Sequence, residues 1–284
     1  MKVLRELPHR SGRPGRPDRS DRGRLGPHGL GTGSGSGTGS GTGTAPVPGS
    51  ASGSAPAPMP SARGARRAHR IGVPLMHSLW HVAQHGTANF PADGPVLLAG
   101  NHTSFLDGPL IAGVAPRPVH FLIKKEMFVG PLGPILERGF GQIPIDRSHP
   151  DRAAIQSALA TLRSGGVLGV FPEGTRTTGE FESVHNGLAY FALATGAPVV
   201  PVACLGTATR GRSVGSLPTP RTHLDLVYGT PVSLAELSQG SEGLGRRQRI
   251  AAISEELRVR LAAHVQYARQ LTGRDNERQT RTHD

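Results

Sequence analysis

In the stretch AGNHTSFLDG, residues 99–108, Asn101, His102 and Asp107 directly follow an apolar run, VLLAG. A histidine and an aspartate at this spacing could form a general base. A carboxylate that accepts from one imidazole nitrogen fixes the tautomer and leaves the other nitrogen free to take a proton. The same residues have a purely architectural reading. Ser104 followed three positions later by Asp107 matches a capping box, Ser/Thr-x-x-Asp/Glu, in which each side chain satisfies a backbone donor at a helix start. That alone could account for Asp107. His102 would sit in a strand-to-helix loop at the carboxyl end of a strand, where open α/β sheets place their ligands. No protein nucleophile stands nearby: Ser104 lacks the Gly-x-Ser-x-Gly elbow, and Cys204 lies inside the apolar VVPVACLG. A proton taken by His102 would therefore come from a substrate hydroxyl.

A second polar stretch, PEGTR at residues 172–176, follows the apolar run VLGVF. Gly174 permits a tight turn whose successive N–H groups point at an anion, Thr175 can donate a hydroxyl, and Arg176 can pair with a phosphate through two parallel hydrogen bonds. Glu173 is costly beside a phosphate unless it pairs with a cation or orients the acceptor. The alternative is a polar turn held by a Glu173–Arg176 ion pair.

The elements needed to position these loops can be read from the apolar pattern. Short runs rich in Val, Ile, Leu and Phe predict strands at 96–100, 119–123, 141–145, 167–171, 199–204 and 224–228, with helices at 105–114, 151–163 and 187–195. This alternation predicts an α/β domain with a largely parallel sheet flanked by helices. Near the C-terminus Ile250, Ile253, Leu257, Leu261 and Val265 recur at helical spacing, with Arg249, Arg258, Arg260 and Arg269 expected elsewhere on the wheel. Such a helix packs on the domain or lies on a membrane surface. Residues 71–82, with Val73, Leu75, Met76, Leu79 and Trp80, suggest a further helix that packs or is interfacial, shortened by Pro74.

Before residue 70 the chain is rich in Gly, Ser, Thr and Pro, as in GTGSGSGTGSGTGTAPVPGSASGSAPAPMP, and such a segment cannot offset the entropy of ordering itself. We therefore divide the 284 residues into a disordered basic tail (1–70), a folded domain (71–275) and a polar C-terminal tail (276–284). The tail holds 12 Lys and Arg against 3 Asp and Glu, a balance of +9, whereas the rest carries only +3. The basicity thus belongs mostly to the tail. Its arginines have no aromatic partners for stacking bases, so no nucleic-acid partner is expected, while anionic lipid headgroups are a plausible attraction. Internal Met59 and Met76 leave open a start downstream of the tail. A single cysteine excludes an internal disulfide framework, and no stretch offers the ~20 apolar residues of a spanning helix. The N-terminus lacks the apolar core of a secretory signal. Membrane contact is expected to be peripheral.

Taken together and in this order, NHTSFLD and FPEGTR closely resemble the glycerolipid acyltransferase family that includes 1-acylglycerol-3-phosphate acyltransferase. The resemblance covers residues 90–229 and takes in ANFPADGPVLLAGNHTSFLD, KKEMF, GQIPIDR and GAPVVPVA. It implies transfer of a fatty acyl group from a thioester of coenzyme A, or of acyl carrier protein, to a glycerophospholipid hydroxyl. It makes His102 the base and Asp107 the residue that orients it. Glu173, Gly174, Thr175 and Arg176 become the acceptor-phosphate site, with Arg147 and Lys124 as additional phosphate-binding charge; Lys125 could equally fill the role of Lys124. On this mechanism no metal or resident cofactor is required. The favoured reaction is acylation of the sn-2 hydroxyl of lysophosphatidic acid by acyl-CoA, giving phosphatidic acid in phospholipid synthesis at the cytoplasmic face of the cell membrane. Glycerol 3-phosphate or another lysophospholipid is an alternative acceptor. Outside the enzyme class, the competing reading is a non-catalytic lipid- or nucleic-acid-binding protein acting through its tail. One departure affects the acceptor: many family members carry an aromatic residue and lysines where this chain reads SVHN, residues 183–186. His185 there replaces a cation or caps the next helix.

Overall fold

Val96 and Leu98 face one side of the sheet and Leu97 and Ala99 the other, and all four are fully buried. A strand apolar on both faces belongs at the centre of a sheet covered on both sides. The computed structural model, which describes residues 59–176, 178–208 and 216–274, has this arrangement. Its strands are β1 (His81–His85), β2 (Val96–Gly100), β3 (Val119–Lys124), β4 (Ile143–Ile145), β5 (Val167–Val170), β6 (Val199–Leu205) and β7 (His223–Tyr228), in the order β1-β7-β6-β2-β5-β3-β4. From β6 to β4 every neighbouring pair is parallel. The β6–β7 pair is antiparallel, and β1 runs parallel to β7 at the edge.

The helices are α1 (Ala62–Leu79), α2 (Asp107–Val114), α3 (Leu132–Pro134, a single turn continued by a π turn at Ile135–Gly139), α4 (Arg152–Arg163), α5 (Gly187–Thr195), α6 (Leu234–Leu237) and α7 (Arg246–Thr272). α1 and α2 cover one face through Met76, Leu110, Ile111 and Val114. α4, α5 and α7 cover the other through Leu159, Leu162, Phe191, Leu257 and Leu261. The expected largely parallel sheet flanked by helices is thus present, and the C-terminal helix packs on the domain.

Several boundaries differ from the sequence reading. Most of the expected 1–70 tail and all of the expected 276–284 tail lie outside the described residues, but residues 62–70 are the first half of α1. Their small residues are a packing face. Gly64 and Ala65 are buried, and a Cβ on Gly64 would stand 2.6 Å from the Arg138 carbonyl oxygen. Farther along, a Cβ on Gly72 would meet the Cα of Gly113 at 2.4 Å, so α1 crosses α2 at backbone contact. Pro74 does not shorten the helix but sits inside it, on the exposed side. Ser61 caps the start by accepting from the Gly64 N–H at 2.9 Å. Trp80, just beyond α1, is buried and donates its indole N–H to the Pro218 carbonyl at 3.2 Å. In α7, Arg269 is not on the outer side of the wheel. It extends the buried stripe of Ile253, Leu257, Leu261 and Val265 by one more four-residue step and is itself only 5% exposed.

Candidate active site

β2 and β5 are hydrogen-bonded neighbours from Val96↔Val167 to Ala99↔Val170, so the loops leaving their carboxyl ends start side by side. The first of these loops carries the histidine. Its take-off is fixed by Asn101, which is buried, donates to the Cys204 carbonyl at 3.0 Å and accepts from the Cys204 N–H at 2.7 Å. The amide side chain thereby ties this loop to the end of β6, and the lone cysteine is buried as its setting suggested.

Asp107 is completely buried at the first position of α2. Its Oδ2 accepts from the backbone N–H groups of Thr103 and Ser104, both at 2.7 Å, and lies 3.3 Å from His102 Nδ1. One carboxylate oxygen thus holds the backbone at the helix start and faces the imidazole at the same time. The reciprocal half of the capping box is altered, because the Ser104 hydroxyl accepts from the Leu106 N–H at 3.2 Å. The other carboxylate oxygen accepts from the Thr207 hydroxyl at 2.5 Å. A carboxylate with four such neighbours has one orientation, and it holds the histidine with Nε2 as the ring nitrogen left for a substrate. The His102 side chain remains 19% exposed. Its ring stacks on Phe171, with centroids 4.2 Å apart and planes 13° apart, and Phe171 stacks in turn on Phe121.

Phe171 opens the second loop. Its carbonyl accepts from the Gly174 N–H at 3.0 Å, closing a tight turn in which Gly174 has φ +73°. A Cβ there would also stand 2.4 Å from His185 Nε2, so only glycine fits. Arg147, just beyond β4, donates to the Gly174 carbonyl. Thr175 and Arg176 are exposed, and the Arg176 guanidinium stands over the ring of Phe105, which belongs to the histidine loop. The expected alternative, a Glu173–Arg176 ion pair, is not among the ion pairs of the described residues. Glu173 is buried and its Oε1 accepts from the Phe181 N–H at 3.1 Å, while Oε2 has no hydrogen-bond partner among the described residues. Burial pushes its carboxyl up to about 7.

His102, Asp107, Glu173, Gly174, Thr175, Arg176 and Arg147 are thus brought to one edge of the sheet. Lys124 shares that edge as the exposed last residue of β3, and its link to the site rests on this position. Lys125 is committed elsewhere, to an ion pair with Asp146. His185 does not cap α5, whose N-cap is Asn186; its N–H donates to the Pro172 carbonyl at 2.8 Å, and its ring packs on the Gly174 turn. Sequence reasoning missed Thr207 and Phe171 as parts of the site. Both follow buried strands adjacent to β2, and that adjacency is the signal that could have found them.

The family model described as Acyltransferase matches residues 81–205. The chain is 30% identical over 175 residues to the 1-acyl-sn-glycerol-3-phosphate acyltransferase of Bacillus subtilis, a match covering 61% of this chain and 82% of that protein. It is 40% identical over 111 residues to the lyso-ornithine lipid O-acyltransferase of Pseudomonas aeruginosa, covering 38% of this chain and 42% of that protein. Its fold is like the crystal structure of the 1-acyl-sn-glycerophosphate acyltransferase from Thermotoga maritima, with a TM-score of 0.54, 23% identity, and coverage of 72% of this chain and 79% of that one. With these matches, and with the histidine loop and the 172–176 turn meeting on this scaffold, the chain belongs to the glycerolipid acyltransferase family, the family of the 1-acyl-sn-glycerol-3-phosphate acyltransferases, and is an acyltransferase.

Proposed function

We propose that the enzyme acylates the sn-2 hydroxyl of lysophosphatidic acid with a fatty acyl group from acyl-CoA. The observation that carries this reading is the convergence of the His102–Asp107 pair with the 172–176 turn, through Phe171 on one side and Arg176 over Phe105 on the other. His102 Nε2 takes the proton of the acceptor hydroxyl as its oxygen attacks the thioester carbonyl. The C–O bond forms, the C–S bond breaks, and the leaving thiolate receives the proton from the imidazolium. Asp107 supports that imidazolium through Nδ1. The base acts directly on substrate, so no acyl-enzyme forms and no metal or resident cofactor is called for.

Thr175, Arg176, Arg147 and the backbone N–H groups of the turn receive the acceptor phosphate, with Lys124 adding charge at the rim. A carboxyl raised to about 7 is protonated in a large fraction of molecules near neutrality, so Glu173 repels that phosphate far less than an ordinary glutamate would. Among the described residues no helix is long and apolar enough to cross a membrane. We propose peripheral attachment at the cytoplasmic surface through α1, which exposes Ile71, Leu75 and Leu79 beside Arg63, Arg66, Arg67 and Arg70.

The test is thiol release by purified protein supplied with acyl-CoA and lysophosphatidic acid. Wild type should release thiol, and His102→Ala should be slower by about a hundredfold or more. Equal release by both would reject the base. Replacing acyl-CoA by acyl carrier protein thioesters distinguishes the donors. A panel containing glycerol 3-phosphate, other lysophospholipids and lyso-ornithine lipid distinguishes the acceptors. Lyso-ornithine lipid belongs in that panel because of the 40% identity to its acyltransferase and because SVHN replaces the lysines of many relatives.

A further inference from the structure

An arginine on the buried stripe of a helix needs a partner, and Arg269 finds it in the segment that follows the anion turn. Glu180 forms an ion pair with Arg269 Nη1, and its Oε2 accepts from Gln266 Nε2 at 2.7 Å. Gln266 and Arg269 lie three residues apart, on the same side of α7. The residues flanking Glu180 reach both catalytic loops. On one side, Gly179 has φ +76°, and a Cβ there would stand 2.5 Å from Thr103 Cγ2 and 3.2 Å from Asn101 Nδ2. On the other, Phe181 is buried with φ +54°, a conformation that a bulky side chain adopts only when its surroundings enforce it. The N–H presented by that conformation is the one that Glu173 accepts. Three consecutive residues therefore touch the histidine loop, α7 and the glutamate of the anion turn. Ser254, also on α7, donates to the Asn186 side chain at 2.9 Å and holds the far end of the same connection.

We propose that Arg269, with Gln266, is a positioning residue of the acceptor site. Clamping Glu180 holds Phe181 in its left-handed conformation and so sets the Glu173 carboxyl and the 173–176 turn against the histidine loop. The C-terminal helix thereby governs affinity for the acceptor's anionic group without touching it. This rests on the acceptor-phosphate reading of residues 173–176.

The test uses the full chain in two assays. In the acyl-transfer assay, Arg269→Gln should raise the acceptor KM about tenfold, the scale expected for a small misplacement of a binding loop, and leave the donor KM unchanged. Arg269→Lys should recover most of the loss. Glu180→Gln should reproduce the defect, and combining it with Arg269→Gln should add little, because both break one link. Without substrate, amide exchange in the 178–182 segment should be faster in Arg269→Gln, with β7 unchanged. A wild-type acceptor KM in the folded variant overturns the proposal, as does an equal rise in both KM values with exchange accelerated across α7 and β7. If Arg269→Gln does not fold, Glu180→Gln and Gln266→Ala apply the same criteria from either side of the link. If wild type transfers no acyl group from any donor, the functional reading fails and the exchange experiment alone decides: faster exchange at 178–182 upholds the clamp, and unchanged exchange removes it.

Discussion

A carboxyl group with one oxygen on a backbone N–H and the other without a partner among the described residues is an unusual resident of the proposed phosphate site, and Glu173 makes that site's behaviour depend on pH. Its value rises from 4.5 in the unfolded chain to about 7 in the fold. Between these values the folded protein keeps a proton that the unfolded chain has lost, so this contribution to stability falls as pH rises through the window. Glu173→Gln has no such proton to lose and should flatten the fall. The free-energy difference between the two proteins should change by of the order of 3 kcal/mol across the window, measured by urea unfolding at a series of pH values. Parallel profiles would show that the glutamate ionises as readily folded as unfolded. His102, Asp107 and the 172–176 turn were all legible in the sequence, because local motifs reveal residue types and their order along the chain. Thr207 was not, because its tie to Asp107 spans 100 residues and depends on β6 lying next to β2. The inward aim of Glu173 was equally hidden: it depends on Phe181 adopting a backbone conformation that no propensity favours.

Among the elements, α1 shows why composition misleads. Gly64 and Ala65 read as the end of a flexible tail, yet they, like Gly72 farther along the helix, are small because another backbone lies against them. Alanine is a better helix former than glycine by about 1 kcal/mol, so propensity alone expects Gly72→Ala to stabilise α1. The 2.4 Å approach to Gly113 predicts the reverse. Forcing the helices apart should cost about 1–3 kcal/mol and lower the melting temperature, whereas alanine at an exposed α1 position such as Ser78 should not. A Gly72→Ala protein as stable as wild type would mean that the α1–α2 crossing is loose. The inner strands β2, β3, β5, β6 and β7 were legible from their apolar runs, and β4, at the far edge, from the apolar stretch at 141–145. β1 was not, since HVAQH is an edge strand with three polar residues and no fully buried position. Strand direction has no periodic signature, which hid the antiparallel step from β6 to β7. The same arithmetic of fours that identified the α7 stripe placed Arg269 on it, against the expectation that a charge faces water.

For the molecule as a whole, the question is how a lipid-modifying enzyme reaches its substrate with no spanning helix among the described residues. α1 presents arginines and exposed aliphatic side chains next to one another, a combination suited to an anionic bilayer surface. Replacing Ile71 and Leu75 together by serine removes two insertable side chains and should reduce co-sedimentation with anionic vesicles by tenfold or more, since each such side chain contributes roughly 1.5–3 kcal/mol when buried. High salt should weaken the wild-type interaction further. Undiminished sedimentation of the double variant would move attachment away from α1. The single tryptophan of the chain stands at the foot of this helix, with its indole bonded to Pro218 and shielded from water. Selective excitation therefore isolates one chromophore at the junction of α1 with the sheet, and its emission maximum and quenching report the seating of that helix without any label.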